Sequence, residues 1–423
     1  MREGEATGEA RHFEDFVPRD GHADILQKVD DLDAYLRASP PEYLEGLGLQ
    51  VLGPAAHVTR VRDHQRRERD MIMLGSNSYL ALTTHPAVVA AAQQACAKYG
   101  YGMGAVSLYA GTTDLHRELE ELIARLYGTE DAMIFPCGYS GNVGVISALC
   151  GPGDATINDA ANHASIFDGC RLSGAEIRIF LHRNTAHLEK VLKRLPETQK
   201  GRLIITDGVF SMDGDLAPLD RIVELAERYG ARVMIDEAHA LGVVGATGRG
   251  TAERFGCEGR VAITCGTLSK TPGAMGGYCA GSRVLVQYLR YYARTYFFST
   301  SLPVPVVAGL IEVFRLLLAD RAGREVLWHN IKYLGDGLRH LGFDTGDTES
   351  AIIPIMVGDE PKLARFHNDL RERGVFTNIV TYPAVRRKEC RLRVSVMSSL
   401  TRADMDGALT LFGELGRKHG IVR

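Results

Sequence analysis

Six short apolar runs, separated by longer amphipathic stretches, constrain this chain more than any other feature. They cover residues 132–135, 155–157, 177–181, 203–205, 233–235 and 262–264. Between them, 116–127, 185–195 and 220–229 carry apolar residues at helical spacing, as in Ile222, Val223, Leu225 and Ala226. Brief apolar strands alternating with helices specify parallel βαβ units with both sheet faces covered. The reading is therefore α/β, with a large domain over 76–302 whose mainly parallel central sheet lies between helices. A tail over 1–24, expected to be mobile, precedes an N-terminal segment over 25–75. That segment holds a helix over 25–37, a turn at Pro40 and Pro41, and strand-like pieces ending at Gly75. Residues 303–423 read as a smaller C-terminal α+β domain, a long helix followed by strand, helix and strand over 352–357, 363–373 and 392–397.

Composition narrows the function classes. With 49 basic against 52 acidic side chains, the chain has no electrostatic footprint for nucleic acid or a membrane surface. Its longest apolar stretch, 304–319, contains Glu312 and Arg315 and reads as a buried helix, not a membrane segment. The eight cysteines are scattered without a C-x-x-C pair, so neither a zinc framework nor a disulfide scaffold is expected, and no metal. The first two dozen residues are polar and lack an apolar signal core, which makes the cytoplasm the expected compartment.

In open parallel sheets, ligands bind beyond the carboxyl ends of the strands, so the polar residues just after each run carry the information. The run 233–235 ends in Asp236-Glu-Ala-His239. This is also the Mg-ATP motif of a helicase class, but that reading requires a phosphate loop G-x-x-x-x-G-K-[ST] upstream, and none is present. The run 262–264 leads to Thr267-Leu-Ser269-Lys270, a lone lysine among hydroxyls and glycines. Desolvation lowers an amine's pKa and frees it for Schiff-base chemistry. Any single lysine is more often an ordinary loop residue; the pairing with Asp236 shifts that balance. A Schiff-base lysine and an acidic partner for a pyridinium nitrogen are what pyridoxal phosphate enzymes combine.

Three further pieces are weaker alone. His163, in Asn162-His163-Ala-Ser165, reads either as a helix cap or as a ring stacked on a cofactor. Cys137-Gly138-Tyr139 opens a helix whose amide groups can hold phosphate. Arg393, on a C-terminal strand, is a surface arginine or a two-pronged grip on a substrate carboxylate.

In this order, these pieces make the chain resemble the α-oxoamine synthase family, within the fold-type I pyridoxal phosphate enzymes. The likeness runs over 70–397 and rests on four blocks: 162–169, Asp207-Gly-Val-Phe-Ser211-Met-Asp-Gly-Asp215, Asp236-Glu-Ala-His239 and Gly266-Thr-Leu-Ser-Lys270. The resemblance implies pyridoxal 5'-phosphate as cofactor, with Lys270 forming the internal aldimine and later moving the α-proton. It implies Asp236 on the pyridinium nitrogen, His239 and Ser211 on the ring hydroxyl, and His163 stacked on the ring and polarising the acyl carbonyl. Gly138, Tyr139, Thr267 and Ser269 would hold the phosphate. Ser299 or Thr300 would reach it from a second subunit of a homodimer, and Arg393 with Asn77 would bind the amino-acid carboxylate.

The reaction implied is a decarboxylative Claisen condensation of a small amino acid with an acyl thioester of coenzyme A or an acyl carrier protein. Serine or alanine is favoured, in the manner of serine palmitoyltransferase. 8-Amino-7-oxononanoate synthase and 2-amino-3-ketobutyrate ligase are the alternatives within the family. An aminotransferase, sharing Asp236 and Lys270, stands outside it; a non-catalytic partner subunit, as among serine palmitoyltransferase-like chains that lack the lysine, is the third reading. The chain departs from the family at Ala105-Val-Ser107, at Ser78, and at Arg386, Arg387 and Lys388. These three cations are read either as a contact for the donor's phosphate or carrier, or as a solvated charge run.

Overall fold

All six apolar runs are strands of one sheet in the computed structural model, which describes residues 24–38, 48–63, 65–199, 201–319, 322–382 and 384–423. The expected tail, Asp24 apart, and the Pro40-Pro41 turn lie outside the described residues. The N-terminal helix spans Gln27–Ala38. Strands β1 (Gln50–Val51), β2 (Val58–Arg62) and β3 (Glu68–Met73) follow as an antiparallel set.

The central sheet comprises β4 (Asp131–Phe135), β5 (Ala155–Asp159), β6 (Glu176–Phe180), β7 (Arg202–Asp207), β8 (Arg232–Asp236), β9 (Ile263–Thr267) and β10 (Gly277–Gly281). Its order is β4-β10-β9-β8-β7-β5-β6. From β9 to β6 every pairing is parallel, while β10 runs antiparallel to both β4 and β9. The sequence reading misses β10: Gly-Tyr-Cys-Ala-Gly has neither an apolar run nor alternation, and it follows the glycines near Lys270. Close packing explains the composition, because a Cβ at Gly277 would lie 2.4 Å from the carbonyl oxygen of Cys137.

Helices cover this sheet as its apolar strands require. Helix Leu219–Arg228 buries Leu219, Ile222, Val223, Leu225 and Ala226, the last four being the periodic residues noted above. They pack with Ile204, Val233 and Ile235 in one core, each buried Val, Leu or Ile contributing roughly 1.5–3 kcal/mol. Helix Val304–Ala319 is largely buried despite Glu312 and Arg315. Among the described residues no helix is long and apolar enough to cross a membrane.

The C-terminal part adds β11 (Ile352–Met356), β12 (Val375–Phe376), β13 (Asn378–Val380) and β14 (Arg391–Ser395). Strands β11, β14 and β13 form an antiparallel sheet, whereas β12 pairs in parallel with β3. Leu74 and Tyr79, from the start of the chain, therefore share a core with Phe366, Leu392 and Phe412. That joint core sets β14, and Arg393 on it, beside the loop that follows β7.

Candidate active site

Five parallel strands deliver their carboxyl ends to one cavity of about 270 Å³. Gly138 and Tyr139 follow β4, His163 follows β5, Ser211 follows β7, Asp236 ends β8 with His239 beyond it, and Thr267, Ser269 and Lys270 close β9; all line the cavity. A larger cavity, about 660 Å³, opens at the amino ends of the strands near Arg202, Arg232 and Leu285, and none of the sequence-read groups lines it. The chemistry belongs to the smaller one.

Burial lowers the Lys270 amine to about 8, with Arg393 adding to the effect and Asp236 and Asp207 opposing it. Asp236 is buried, its Oδ1 accepting from the Ala238 amide at 2.9 Å and its Oδ2 from Asn142 Nδ2 at 2.7 Å. His239 is buried too, and desolvation first, then Lys270 and Arg393, push its pKa well below the usual value. Its Nδ1 lies 2.7 Å from the Tyr79 hydroxyl. Asp207, at the end of β7, is driven well above the carboxylate range by burial and by the neighbouring Asp236.

The candidate anion cradle is built by close approach. Helix Gly138–Leu149 starts against β9, and a Cβ at Gly138 would stand 2.7 Å from Thr267 Cβ. The Gly138 and Tyr139 amides have no acceptor among the described residues, as expected for the first turn of a helix. The Thr267 and Ser269 hydroxyls lie 2.8 Å apart beside them. The Tyr139 hydroxyl bonds Asp168, and its ring meets His163 edge-on with centroids 6.4 Å apart. Tyr139 thus offers only its backbone amide at the helix start.

His163 is both of the things its sequence allowed. It caps helix Ala164–Ser173 and it lines the cavity. Asn162 secures the turn by donating to the Ile205 carbonyl at 2.8 Å and accepting from the Asp207 amide at 3.1 Å.

Arg393 and Asn77 stand just behind the cavity. Arg393 Nε donates to the Ser211 carbonyl at 2.6 Å and Nη2 to Asn77 Oδ1 at 3.1 Å. Arg393 is buried, and no carboxylate of a described residue pairs with it. The block 207–215 divides its labour: Asp207 and Ser211 face the cavity, Asp213 pairs with Arg391, and Asp215 takes Arg183 at 2.9 Å and His182 at 3.1 Å. Burial opposes a charged His182, but hydrogen bonds to Asp159 and Asp215 raise it to about 10. Ser299 and Thr300 do not line the cavity within this chain; Thr300 bridges to Val106.

Asn142, Ser165 and Asp207 line the cavity without having been singled out from sequence. Asn142 had a usable signal, since it lies four residues after Gly138 and so on the same helix face. The group fits pyridoxal phosphate on three observations: unpartnered helix-start amides beside two hydroxyls where a phosphate would sit, a buried carboxylate for a pyridinium nitrogen, and a low-pKa amine in the same cavity.

Comparison with known proteins agrees. Residues 69–412 match the family model for aminotransferase class I and II. The chain is 44% identical over 354 residues to an 8-amino-7-oxononanoate synthase of Thermoanaerobacter pseudethanolicus, covering 84% of this chain and 90% of that one. It is 41% identical over 405 residues to the 4-hydroxy-2,2'-bipyrrole-5-methanol synthase PigH of Serratia sp.; the match covers 96% of this chain but only 62% of PigH. A serine palmitoyltransferase from S. paucimobilis, solved with a bound PLP-myriocin aldimine, superposes with a TM-score of 0.89 at 34% identity, covering 94% of this chain and all of that one. The chain belongs to the aminotransferase class I and II family and, within it, to the α-oxoamine synthases, the pyridoxal-phosphate-dependent acyltransferases.

Proposed function

We propose that this enzyme condenses serine or alanine with an acyl thioester, releasing thiol and carbon dioxide and leaving an α-amino ketone. The observation that carries the reading is the buried, acid-free guanidinium of Arg393 held against the Lys270 cavity by Ser211 and Asn77. An α-carboxylate is the partner it lacks. A cavity of about 270 Å³ that must take cofactor and amino acid together favours a small side chain. The names of two relatives, 8-amino-7-oxononanoate synthase and serine palmitoyltransferase, point to the same product type.

Pyridoxal phosphate, when bound, supplies the electron sink for the carbanion that such a condensation needs. The Gly138 and Tyr139 amides and the Thr267 and Ser269 hydroxyls would hold its phosphate. Asp236 would keep a proton at the pyridine nitrogen, and His239 and Ser211 would meet the ring hydroxyl. Arg393 and Asn77 orient the amino acid by its carboxylate, and Lys270 Nζ takes the α-proton and later returns one to the product. His163 offers a hydrogen bond to the acyl carbonyl oxygen. The expected result of a panel of glycine, alanine and serine against short and long acyl thioesters is thiol and carbon dioxide release with alanine or serine and a medium or long acyl group. Amino-group transfer to a keto acid without thiol release would instead identify an aminotransferase.

The donor's phosphate is proposed to meet Arg386, Arg387 and Lys388, whether it belongs to coenzyme A or to a carrier protein's prosthetic arm. These residues lie at a short turn, Arg387–Glu389, two residues before β14; Arg386 is highly exposed, and the Arg387 guanidinium stands 5.0 Å from the Tyr382 ring. Reversing all three charges should raise KM for the coenzyme A thioester about tenfold while leaving a phosphate-free thioester unaffected. An unchanged KM for the coenzyme A thioester would return the turn to an ordinary solvated surface.

A homodimer in the cytoplasm completes the proposal. Tyr109, Tyr291, Tyr292 and Phe298 are exposed around Ser299 and Thr300, an apolar surface suited to a second copy that would bring these residues to its partner's phosphate. Sedimentation should give twice 46.3 kDa, and a fully active monomer would contradict it. The cysteines are all free thiols, as a reducing compartment maintains; cell fractionation tests that placement.

A further inference from the structure

We propose that Asn142 and Ser165 are positioning residues that fix His163 as the tautomer with its proton on Nε2, making it a hydrogen-bond donor toward the acyl thioester. The proposal rests on the condensation read above and assigns roles to two residues that it leaves idle.

One chain of hydrogen bonds runs from Asp236 to His163, and its protons can be counted. Asn142 Nδ2 carries two, and both are used: one goes to Asp236 Oδ2 at 2.7 Å, the other to Ser165 Oγ at 3.0 Å. Turning the amide over would set Oδ1 against the Asp236 carboxylate, so its orientation is determined. The cost is visible, since Asn142 Oδ1 is buried without a partner. Ser165 Oγ, having accepted from Asn142, has one hydroxyl proton to give, and His163 Nδ1 lies 2.8 Å away. The Ser165 amide points to the same nitrogen at 3.3 Å.

Two donors meeting on Nδ1 require a lone pair there. The neutral imidazole then carries its proton on Nε2, which has no partner among the described residues. Neutrality follows from the surroundings. Desolvation lowers the His163 pKa and Lys270 reinforces it, while Asp236 and Asp168 pull the other way. Asp207 accepts the His163 amide at 3.4 Å, His239 is neutral across the cavity, and the Tyr139 ring stands edge-on. A fixed N–H donor at a carbonyl that gains negative charge during attack is the arrangement that lowers such barriers. Asp236 is thus tied to His163 through Asn142 and Ser165, so that one hydrogen-bond line orients both groups.

The test is ¹⁵N NMR of the histidine-labelled holoenzyme, with His163→Gln used to assign the signal. The wild type should give an unprotonated Nδ1 and a protonated Nε2. Ser165→Ala, nearly isosteric at a buried position, leaves only the longer amide contact on Nδ1, so it should shift the nitrogen signals toward the other tautomer and lower kcat about tenfold or more, with KM for the amino acid unchanged. It should also shift the acid limb of the kcat–pH profile, and Ser165→Thr should restore it. Asn142→Leu should disturb the same nitrogen pair. A wild type protonated on Nδ1 would overturn the proposal even if no variant folds. So would a Ser165→Ala enzyme with wild-type kcat and nitrogen shifts. Because the shifts are read without turnover, a correct tautomer with no thiol release would sink the condensation reading and leave this one standing.

Discussion

Lys270→Ala should abolish turnover, with a fall in kcat of about 10³-fold or more, while the protein stays folded and still takes up the cofactor through its phosphate. The side chain is half-buried at a loop after β9, so its loss removes no large part of the core. What goes is the only amine lining the cavity among the described residues. A positioned general base is worth about 10²–10⁴ in rate, and in the proposed reaction the same nitrogen would also return the proton. The pH dependence has a definite sign. Burial disfavours the ammonium, so the folded-state pKa of about 8 lies below that of a free lysine. At pH 7 roughly one amine in ten is neutral, against about one in three thousand for an unperturbed lysine. Capture of pyridoxal phosphate by the apoprotein should therefore quicken as pH rises and level off above about 8, followed by visible absorbance. A midpoint near that of free lysine would mean that the amine sits in water.

Asp236→Asn should cost about 10²–10⁴ in kcat with little change in cofactor affinity. The substitution keeps the shape but removes the charge that, on the proposed roles, would hold a proton on the pyridine nitrogen, so the electron sink should weaken while the proposed cradle of Gly138, Tyr139, Thr267 and Ser269 stays as it is. It also sets an amide against the Nδ2 donor of Asn142, which lies 2.7 Å from Asp236 Oδ2. Equilibrium binding of the cofactor measured beside single-turnover rates separates the two effects. Equal losses in both would assign Asp236 to structure and not to chemistry.

The sequence was most legible where one strand and its next turn suffice. Each of the six parallel strands is marked by an apolar run, and each catalytic candidate after them sits within a few residues of its strand. Strand β10 escaped because its first glycine, Gly277, answers to the Cys137 carbonyl, a contact from the turn after the neighbouring strand β4. The supporting groups were harder still. Tyr79 meets His239 across 160 residues of chain, and Arg393 meets the Ser211 carbonyl across 182. Asn142 and Ser165 have no distinctive residue chemistry; their meaning comes from what lies within 3.0 Å of them. Conversely, Asp213 and Asp215 belong to a motif that looks catalytic but serve ion pairs that anchor the loop beside β14.

The central claim is that Lys270 and Asp236 address one pyridoxal phosphate ring in one cavity. Borohydride reduction of the holoenzyme, followed by peptide mapping by mass spectrometry, tests it most directly. The account expects a single pyridoxyl adduct, on the peptide containing Lys270, whose yield and visible spectrum change in the Asp236→Asn protein. An adduct on another lysine, or none in an enzyme that still releases thiol, would contradict it.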